Sequence, residues 1–331
     1  MRALVVGAGA VGQVFGYHLH RGGAEVSFLV KPKYAEECRA GFTLYPLNHR
    51  RRRAEPRRFT GAGVLTTDDE VAAGRWDQVY LTVSSTALRG PWLAGLARAV
   101  GDATVISLQP GIEDRKVVLA HVPDERLVSG LISLISYAAP LPGETRFPEP
   151  GMAYWFPPLS PSPFSGPSAR VDAVVAALRA GGLPAKRHPN VPGLAGFPSA
   201  VMMPYLVALE ASGWSFDRLG ENAPTAARAA REAVEVVAAR PEAGRRPPFI
   251  GLAARPFVVR AGLWLGRMVI PLDLETYLRE HFIKVGDQTR LMMVQYIDHA
   301  RSHGLPSSAL ESLSSAIGAL PGRENAPSRS S

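Results

Sequence analysis

Cysteine is nearly absent: the chain of 331 residues holds one, Cys38. A disulfide framework and a cysteine metal site are excluded, and the composition suits a reducing compartment, so a cytoplasmic location is expected. Long apolar runs are missing too. No uninterrupted stretch reaches the roughly eighteen residues that suggest a membrane span. The nearest approach, residues 249–272, is cut by Arg255, Arg260 and Arg267. That pattern predicts an amphipathic helix and no membrane partner. Histidines and acids fall in no metal-ligand spacing, so no metal is expected. His188 and His303 stand beside Pro189 and Gly304 and read as turn residues. There is no internal repeat. Arg2 ahead of an apolar stretch raises the question of a secretory leader. Gly7, Gly9, Gly12 and Gly16 break that stretch and no small-residue cleavage site follows, so none is expected.

What is present is organised around the first sixteen residues. A short apolar run over residues 2–6 leads straight into Gly7, Ala8, Gly9, Ala10, Val11 and Gly12, a full G-x-G-x-x-G. A helix-compatible stretch over 13–19 follows, then a second strand over 25–30. This is the order that a dinucleotide-binding βαβ unit requires. Gly7 permits the tight turn off the strand, Gly9 lets the backbone approach a pyrophosphate, and Gly12 lets the helix pack on the strand. The helix N-terminus offers free N–H groups and the positive end of its dipole to phosphates.

The second strand runs out into Lys31-Pro32-Lys33. An NAD site places an acid here to hold the ribose 2′-OH. Lys31 and Lys33 instead suit a 2′-phosphate, so NADP(H) is the expected cofactor. Proline between them stiffens the turn.

Lysine and arginine exceed the acids by 37 to 29, a net charge of +8, which favours anionic partners in general. Much of the excess is local: the loop 49–58 carries six arginines. Aromatic interleaving and a groove-reading motif are lacking, so a solvated loop is favoured over nucleic-acid binding. Cofactor phosphates are a third candidate partner for part of the run.

Hydrophobic residues make up 46% of the chain, enough for sizeable cores in about two domains. Strand and helix signals alternate through the first half. Residues 42–45 and 59–65 bracket the arginine loop as an antiparallel excursion. Helices are expected at 68–73, 87–100, 113–121 and 168–180. Strands are expected at 78–83, 104–108, 127–137 and 152–156. Alternation of this kind predicts an α/β fold, a doubly wound and mostly parallel Rossmann sheet. From Pro192 onward only helices are expected, at 198–213, 223–239, 252–269, 274–284 and 288–303. The predicted domains are residues 1–190 (NADP-binding), residues 191–322 (all-α, C-terminal) and a disordered tail over 323–331.

Several stretches resemble one family. GAGAVG at the start, LVKPK after the second strand, LTV at the fourth, SLQPGIED at the fifth and a helical C-terminal half are similar to the ketopantoate reductases (2-dehydropantoate 2-reductases). The resemblance implies a Rossmann domain plus a helical domain, with substrate and nicotinamide meeting in the cleft between them. It also implies NADPH-driven reduction of a 2-oxo acid, and it places Val83, Ser84, Gln109, Pro110 and Gly111 along the cofactor. The chain departs from the family where chemistry is expected. The family has lysine at Ser84 and asparagine at Pro110. Its catalytic lysine falls on Ser199 and the asparagine that follows on Met203. The family's late glutamate meets Gln288, Thr289 or Arg290.

Hydride arriving at a ketone carbon leaves negative charge on oxygen, and a cationic acid must stabilise and protonate it. A serine hydroxyl does not replace lysine there. The candidate replacements are His281 and Lys284, which with Gln288 are spaced i, i+3, i+7 and share a face if one helix runs through Gly286. Arg279 and Thr289 flank them. A solvated face with salt bridges is the plainer reading of that cluster. Tyr137, near the end of the long strand 127–137, is a further donor candidate. Tyr205 and Glu210 lie on the first C-terminal helix, Glu210 as a surface charge or an arginine's partner. The reading is an NADP(H)-dependent oxidoreductase acting on a small carbonyl substrate other than ketopantoate. If the 249–272 segment reaches the cleft, it suits a bulkier, more apolar substrate. The alternative is a non-catalytic NADP(H)-binding sensor or partner protein. A homodimer is left open.

Overall fold

The computed structural model describes residues 1–48 and 54–318. The arginine run 49–53 and the tail expected at 323–331 lie outside the described residues. Two compact units emerge, one spanning Met1–Pro192 and one beginning at Gly193.

The first unit is built on twelve strands: β1 (Arg2–Val6), β2 (Glu25–Leu29), β3 (Phe42–Pro46), β4 (Arg57–Phe59), β5 (Gly63–Leu65), β6 (Gln78–Leu81), β7 (Thr104–Ser107), β8 (Leu127–Gly130), β9 (Ile135–Ala139), β10 (Gly151–Trp155), β11 (Ser162–Ser165) and β12 (Ala185–Arg187). Eight of them form one sheet in the order β12-β11-β8-β7-β6-β1-β2-β5. Only the β8–β11 pairing is antiparallel. The reason is written in β1. Its side chains alternate between the two faces: Ala3 and Val5 join one buried cluster, Leu4 and Val6 the other. Tyr80 against Val79 and Leu81, and Ile106 against Val105, repeat the pattern. Such a sheet must be covered twice. Helices Ala10–Arg21 and Ser168–Ala180 supply Phe15, Leu19, Val174 and Leu178 to the first face; Asp68–Ala72 and Trp92–Ala99 supply Val71, Leu93 and Leu96 to the second. The structure is thus the doubly wound α/β Rossmann sheet followed by an all-α part.

Two expected strands are each two strands. Residues 59–65 divide at Gly61, which has φ of +80°. β4 pairs antiparallel with β3, as the excursion requires, while β5 adds a parallel edge to the main sheet beside β2. Residues 127–137 divide as well. β8 lies in the main sheet and β9 in a second, four-stranded sheet of order β4-β3-β10-β9. Between them the Leu131 and Ser133 amides donate to Pro163 O and Ser162 Oγ. A continuous apolar run carries no mark of where a buried chain changes sheets. The expected helix at 87–100 is also two pieces, Ser85–Leu88 and Trp92–Ala99, parted by Gly90 and Pro91.

The second unit is helical: Val191–Ala211, which starts just before the boundary, then Leu219–Ala238, Ile250–Ala253, Pro256–Val269, Leu274–Lys284, Gly286–Ser302 and Ser308–Ala316. Among the described residues no strand follows Arg187. The most apolar long helix is Val191–Ala211, not the 249–272 segment. It is 21 residues with a mean hydropathy of 1.4 in its best window, long and apolar enough to cross a membrane; 61% of that window is buried. Pro198 and Pro204 lie inside it. Leu219–Ala238 buries a small-residue face that includes Ala223, Ala226, Ala230 and Ala233. Its Glu232 carboxylate accepts the amides of Ala309 and Leu310 at 2.9–3.1 Å. An acid there satisfies the free N–H groups that open Ser308–Ala316, a helix the sequence reading does not contain.

Candidate functional site

The chain runs β1 to β2 to β5 in one direction, then returns to place β6 on the other side of β1. In a doubly wound sheet the crevice beyond the carboxyl ends of the strands, where the order reverses, is where ligands bind. Here that edge carries four loops: Gly7–Gly9 after β1, Lys31–Lys33 after β2, Thr82–Ser84 after β6 and Gln109–Gly111 after β7.

Each fingerprint glycine has its own geometry. Gly7 has φ of +96°, and a Cβ there would sit 3.1 Å from Val83 Cγ1. Its amide donates to Leu29 O at 2.9 Å, tying the turn to β2. At Gly12 a Cβ would fall 2.1 Å from Gly7 O and 2.7 Å from Thr82 Oγ1, so only glycine allows the helix to lie on the turn. At Gly9 nothing lies within 4 Å of the Cβ position. Gly9 is also the N-cap of Ala10–Arg21, which has no side-chain cap and no acid in its first turn. The open N-terminal turn, formed by Ala10, Val11 and Gly12, is therefore left for an anion. Ala8 contributes its carbonyl, which accepts from Gln13 Nε2 at 2.9 Å.

The surrounding side chains hold the loops. Thr82 Oγ1 is within hydrogen-bonding distance of the Val6 and Gly7 carbonyls, at 2.8 and 2.9 Å. Gln109 donates from Nε2 to Leu81 O and Val83 O, and its Oε1 accepts from Ser107 Oγ and the Leu108 amide. Its amide is thus committed to bridging β6 and β7. Ser84 is the N-cap of Ser85–Leu88, accepting the Ala87 amide at 3.2 Å and sharing a 2.9 Å bond with Thr86 Oγ1. Lys31 and Lys33 are exposed; Lys33 Nζ lies 4.9 Å from the centre of the Tyr34 ring.

Sequence reasoning missed the buried carboxylate beneath these loops. Asp114 is 1% exposed. Its Oδ2 accepts from Ser85 Oγ at 2.5 Å and the Gly111 amide at 2.6 Å, and its Oδ1 from Arg89 Nη1 at 2.7 Å. One charged group thereby pins the loops after β6 and β7 to each other, and Arg89 balances its charge. An acid three residues beyond the glycine of Q-P-G was the only available signal. Pro110 supplies no donor to this network.

The proton-donor candidates lie in separate places. Tyr137 is mid-strand in β9, in the second sheet, and not at the end of a long strand. Its hydroxyl donates to Glu144 Oε1 at 3.0 Å and accepts from Arg146 Nη2 at 2.9 Å. Burial pushes its pKa above the usual tyrosine range. Leu274–Lys284 ends at Lys284, and a new helix starts at Gly286. His281 and Lys284 therefore share the last turn of one helix while Gln288 belongs to the next, so the single face expected for all three is not formed. The His281 ring packs between Tyr277 and Phe282 at 5.3 and 4.9 Å. Burial, then the nearby Lys284 charge, lower its pKa. Lys284 is exposed and Thr289 buried.

Ser199, where the family's lysine was expected, is buried and receives the Tyr296 hydroxyl at 3.3 Å. Met203 is buried beside it in sequence. Tyr205 donates to Ala254 O at 2.8 Å. Glu210 pairs with Arg290 at 2.6 Å, as the plainer reading of that acid holds. Among the described residues no cluster of histidine, cysteine or acid could hold a metal.

A doubly wound sheet with a glycine turn at its switch point defines a Rossmann-type dinucleotide-binding fold. Residues 3–159 match the family model of ketopantoate reductase PanE/ApbA. Over those residues the chain is similar to the ketopantoate reductases. No curated protein matches the sequence. Solved structures with the same fold include a 2-dehydropantoate 2-reductase from Geobacter metallireducens (15% identity, TM-score 0.68, covering 96% of this chain and 99% of that one). Another, from Methylococcus capsulatus, has 19% identity, TM-score 0.68 and coverage of 95% and 94%. D-mandelate dehydrogenase in a ternary structure with NADH and anilino(oxo)acetate has 16% identity, TM-score 0.68 and coverage of 96% and 97%. At these identities the likeness concerns the fold.

Proposed function

We propose that the protein is an NADP(H)-dependent oxidoreductase that reduces a 2-oxo acid-like carbonyl to the hydroxy compound. The observation that carries this reading is the pairing of an uncapped, acid-free helix N-terminus at Gly9 with the basic turn Lys31–Lys33 at the same sheet edge. The residues present fit the cofactor. The free amides at the N-terminus of Ala10–Arg21 would take the pyrophosphate, and Lys31 and Lys33 the 2′-phosphate. The cofactor, when bound, supplies the hydride. The chain's own part is to hold the loops after β6 and β7 through Thr82, Gln109 and Asp114, and to place a cation against the oxygen that becomes negative. Ser199 is buried and carries no charge. Lys284 is the proposed cation; His281 stands beside it, its pKa lowered by burial and by the Lys284 charge.

The reading favours an apolar or aryl 2-oxo acid over ketopantoate. Support comes from the mandelate dehydrogenase complex with an aryl-substituted oxoacetate and from the loss of the family's polar side chains at Ser84, Pro110, Ser199 and Met203. One lost transition-state donor alone costs on the order of a hundredfold in rate. The test is NADPH oxidation across a panel of 2-oxo acids that includes ketopantoate and phenyl-substituted acids, repeated with Lys284→Ala. Turnover of an aryl acid, near-background ketopantoate reduction and at least about a hundredfold loss in Lys284→Ala are expected.

The burial of Ser199 against Tyr296 favours a second reading, a non-catalytic NADP(H)-binding sensor. NADPH binding with no turnover anywhere on the panel would select it.

A further inference from the structure

Helix Pro256–Val269 does not bury its apolar side chains. None of its fourteen residues is buried. Phe257, Trp264, Leu265, Met268 and Val269 are each more than half exposed, as is Phe249 ahead of it. Positions 257, 261, 264, 265 and 268 follow the i, i+4, i+7, i+8, i+11 spacing of one helix face. Scattered exposed apolar residues are ordinary, but a contiguous stripe with two aromatic rings marks a docking surface.

Charge says what docks there. Residues 243–272 contain five arginines and no aspartate, glutamate or lysine. Arg246 and Arg267 are paired, with Glu235 and Glu275. Arg260, exposed, stands three residues after Phe257 and four before Trp264, at the margin of the stripe. A second copy of this chain would bring an acid-free basic helix against itself, and like charges repel across such a contact. An anionic bilayer surface meets both features. Aromatic and aliphatic side chains enter the boundary between headgroups and acyl chains, while arginines bind the headgroup phosphates. The helix is about 21 Å long at 1.5 Å per residue, short of a hydrocarbon core of about 30 Å, so it lies in the interface plane.

We infer that helix Pro256–Val269 docks on an anionic lipid surface, apolar stripe inward and arginines on the headgroups. The inference is independent of the proposed reaction, and it differs from a membrane span.

The experiment is co-sedimentation of the full chain with vesicles of phosphatidylcholine alone, or with about 30 mol% phosphatidylglycerol. Binding is expected only to the anionic vesicles and should weaken as salt rises. Phe257→Ser with Trp264→Ser should weaken it at least about tenfold, and Arg260→Ser about fivefold. These side chains are exposed, so circular dichroism should be unchanged. Wild-type protein that ignores anionic vesicles, or a double variant that binds as well as wild type, overturns the inference. A wild-type dimer that the double variant splits into monomers, with no vesicle binding, also overturns it and gives the stripe to a second copy.

Discussion

The two units use their polar groups in opposite ways. At the Rossmann edge, backbone forms the binding surface and side chains serve as struts. The helix N-terminus at Gly9 is open, while Thr82, Gln109 and Asp114 spend their hydrogen bonds on carbonyls and amides of the loops. In the helical unit, Ser199, where the family's lysine was expected, is a strut as well, and so is Glu210, read from the sequence as a surface charge or an arginine's partner. Ser199 supports Tyr296, and Glu210 holds Arg290. A site made of backbone needs little beyond glycine at the right places, so it survives wide divergence in sequence. A site made of side chains must keep each of them, and Ser199 and Met203 stand where the resemblance expects lysine and asparagine. The family match, residues 3–159, falls wholly within the first unit.

The sharpest way to break this comparison is through the glycines, because Gly9 and Gly12 fail differently. Gly9→Val places its side chain in open space, so the fold should keep its melting temperature. That space is where the pyrophosphate must approach, so NADPH binding should be lost, by at least about a hundredfold. Gly12→Ala puts a methyl 2.1 Å from Gly7 O, so it should cost stability, about 1–3 kcal/mol as overpacking does. Thermal melts paired with NADPH fluorescence titrations read both. A Gly9→Val protein that binds NADPH normally would remove the cofactor site from this turn.

The same contrast sets how much was legible in the sequence. Gly7, Gly9 and Gly12 announce themselves, since few other structures need that spacing between a strand and a helix. Ser168–Ala180 and Leu274–Lys284 were readable from periodicity and flanking signals, to the residue. The division of 127–137 between two sheets was not, because β8 and β9 are equally apolar and pairing is decided by distant strands. β11, with its Ser-Pro-Phe-Ser sequence, has a composition that reads as loop. Asp114 was invisible for a similar reason. Its importance lies in partners 25 and 29 residues away, Arg89 and Ser85, which no local pattern joins to it.

A second test sits where helix Ala10–Arg21 meets β10 and the end of Ser168–Ala180. His18 is 2% exposed. Its Nδ1 lies 2.8 Å from Gly181 O, and its Nε2 lies 3.2 Å from the Tyr154 hydroxyl. With Nδ1 donating and Nε2 accepting, the neutral ring satisfies both partners. Burial lowers its pKa to about 4 from 6.5. The unfolded chain therefore takes up a proton at higher pH than the folded one. This contribution is fully present above pH 6.5 and is lost as pH falls toward 4. Its size is about 3 kcal/mol. Urea unfolding at pH 7 and pH 4.5 should show most of that loss in the wild type. In His18→Gln this component is absent, so the stability gap between the two proteins should narrow on acidification. A constant gap would show that His18 does not titrate in this window.

The smallest effect is the most direct reading of the basic turn. Lys31 follows β2 in extended conformation, with φ of −62° and ψ of 145°, and Pro32 opens the short helical turn after it. Both lysines are exposed, so neither carries a buried charge whose removal would unsettle the fold. A charge-assisted hydrogen bond to a 2′-phosphate is worth roughly 1.5–3 kcal/mol, which makes NADPH about tenfold or more tighter than NADH. Lys31→Ala and Lys33→Ala should each weaken NADPH binding and leave NADH unchanged, because only NADPH carries the phosphate. Salt should narrow the preference, as it does for exposed charges. Lys31→Asp should go further and favour NADH, since an acid at this position repels the phosphate and accepts the ribose 2′-OH. Titrations of both cofactors at matched ionic strength decide it. Equal affinities in the wild type would leave the glycine turn as a dinucleotide site and take the choice of cofactor away from Lys31 and Lys33.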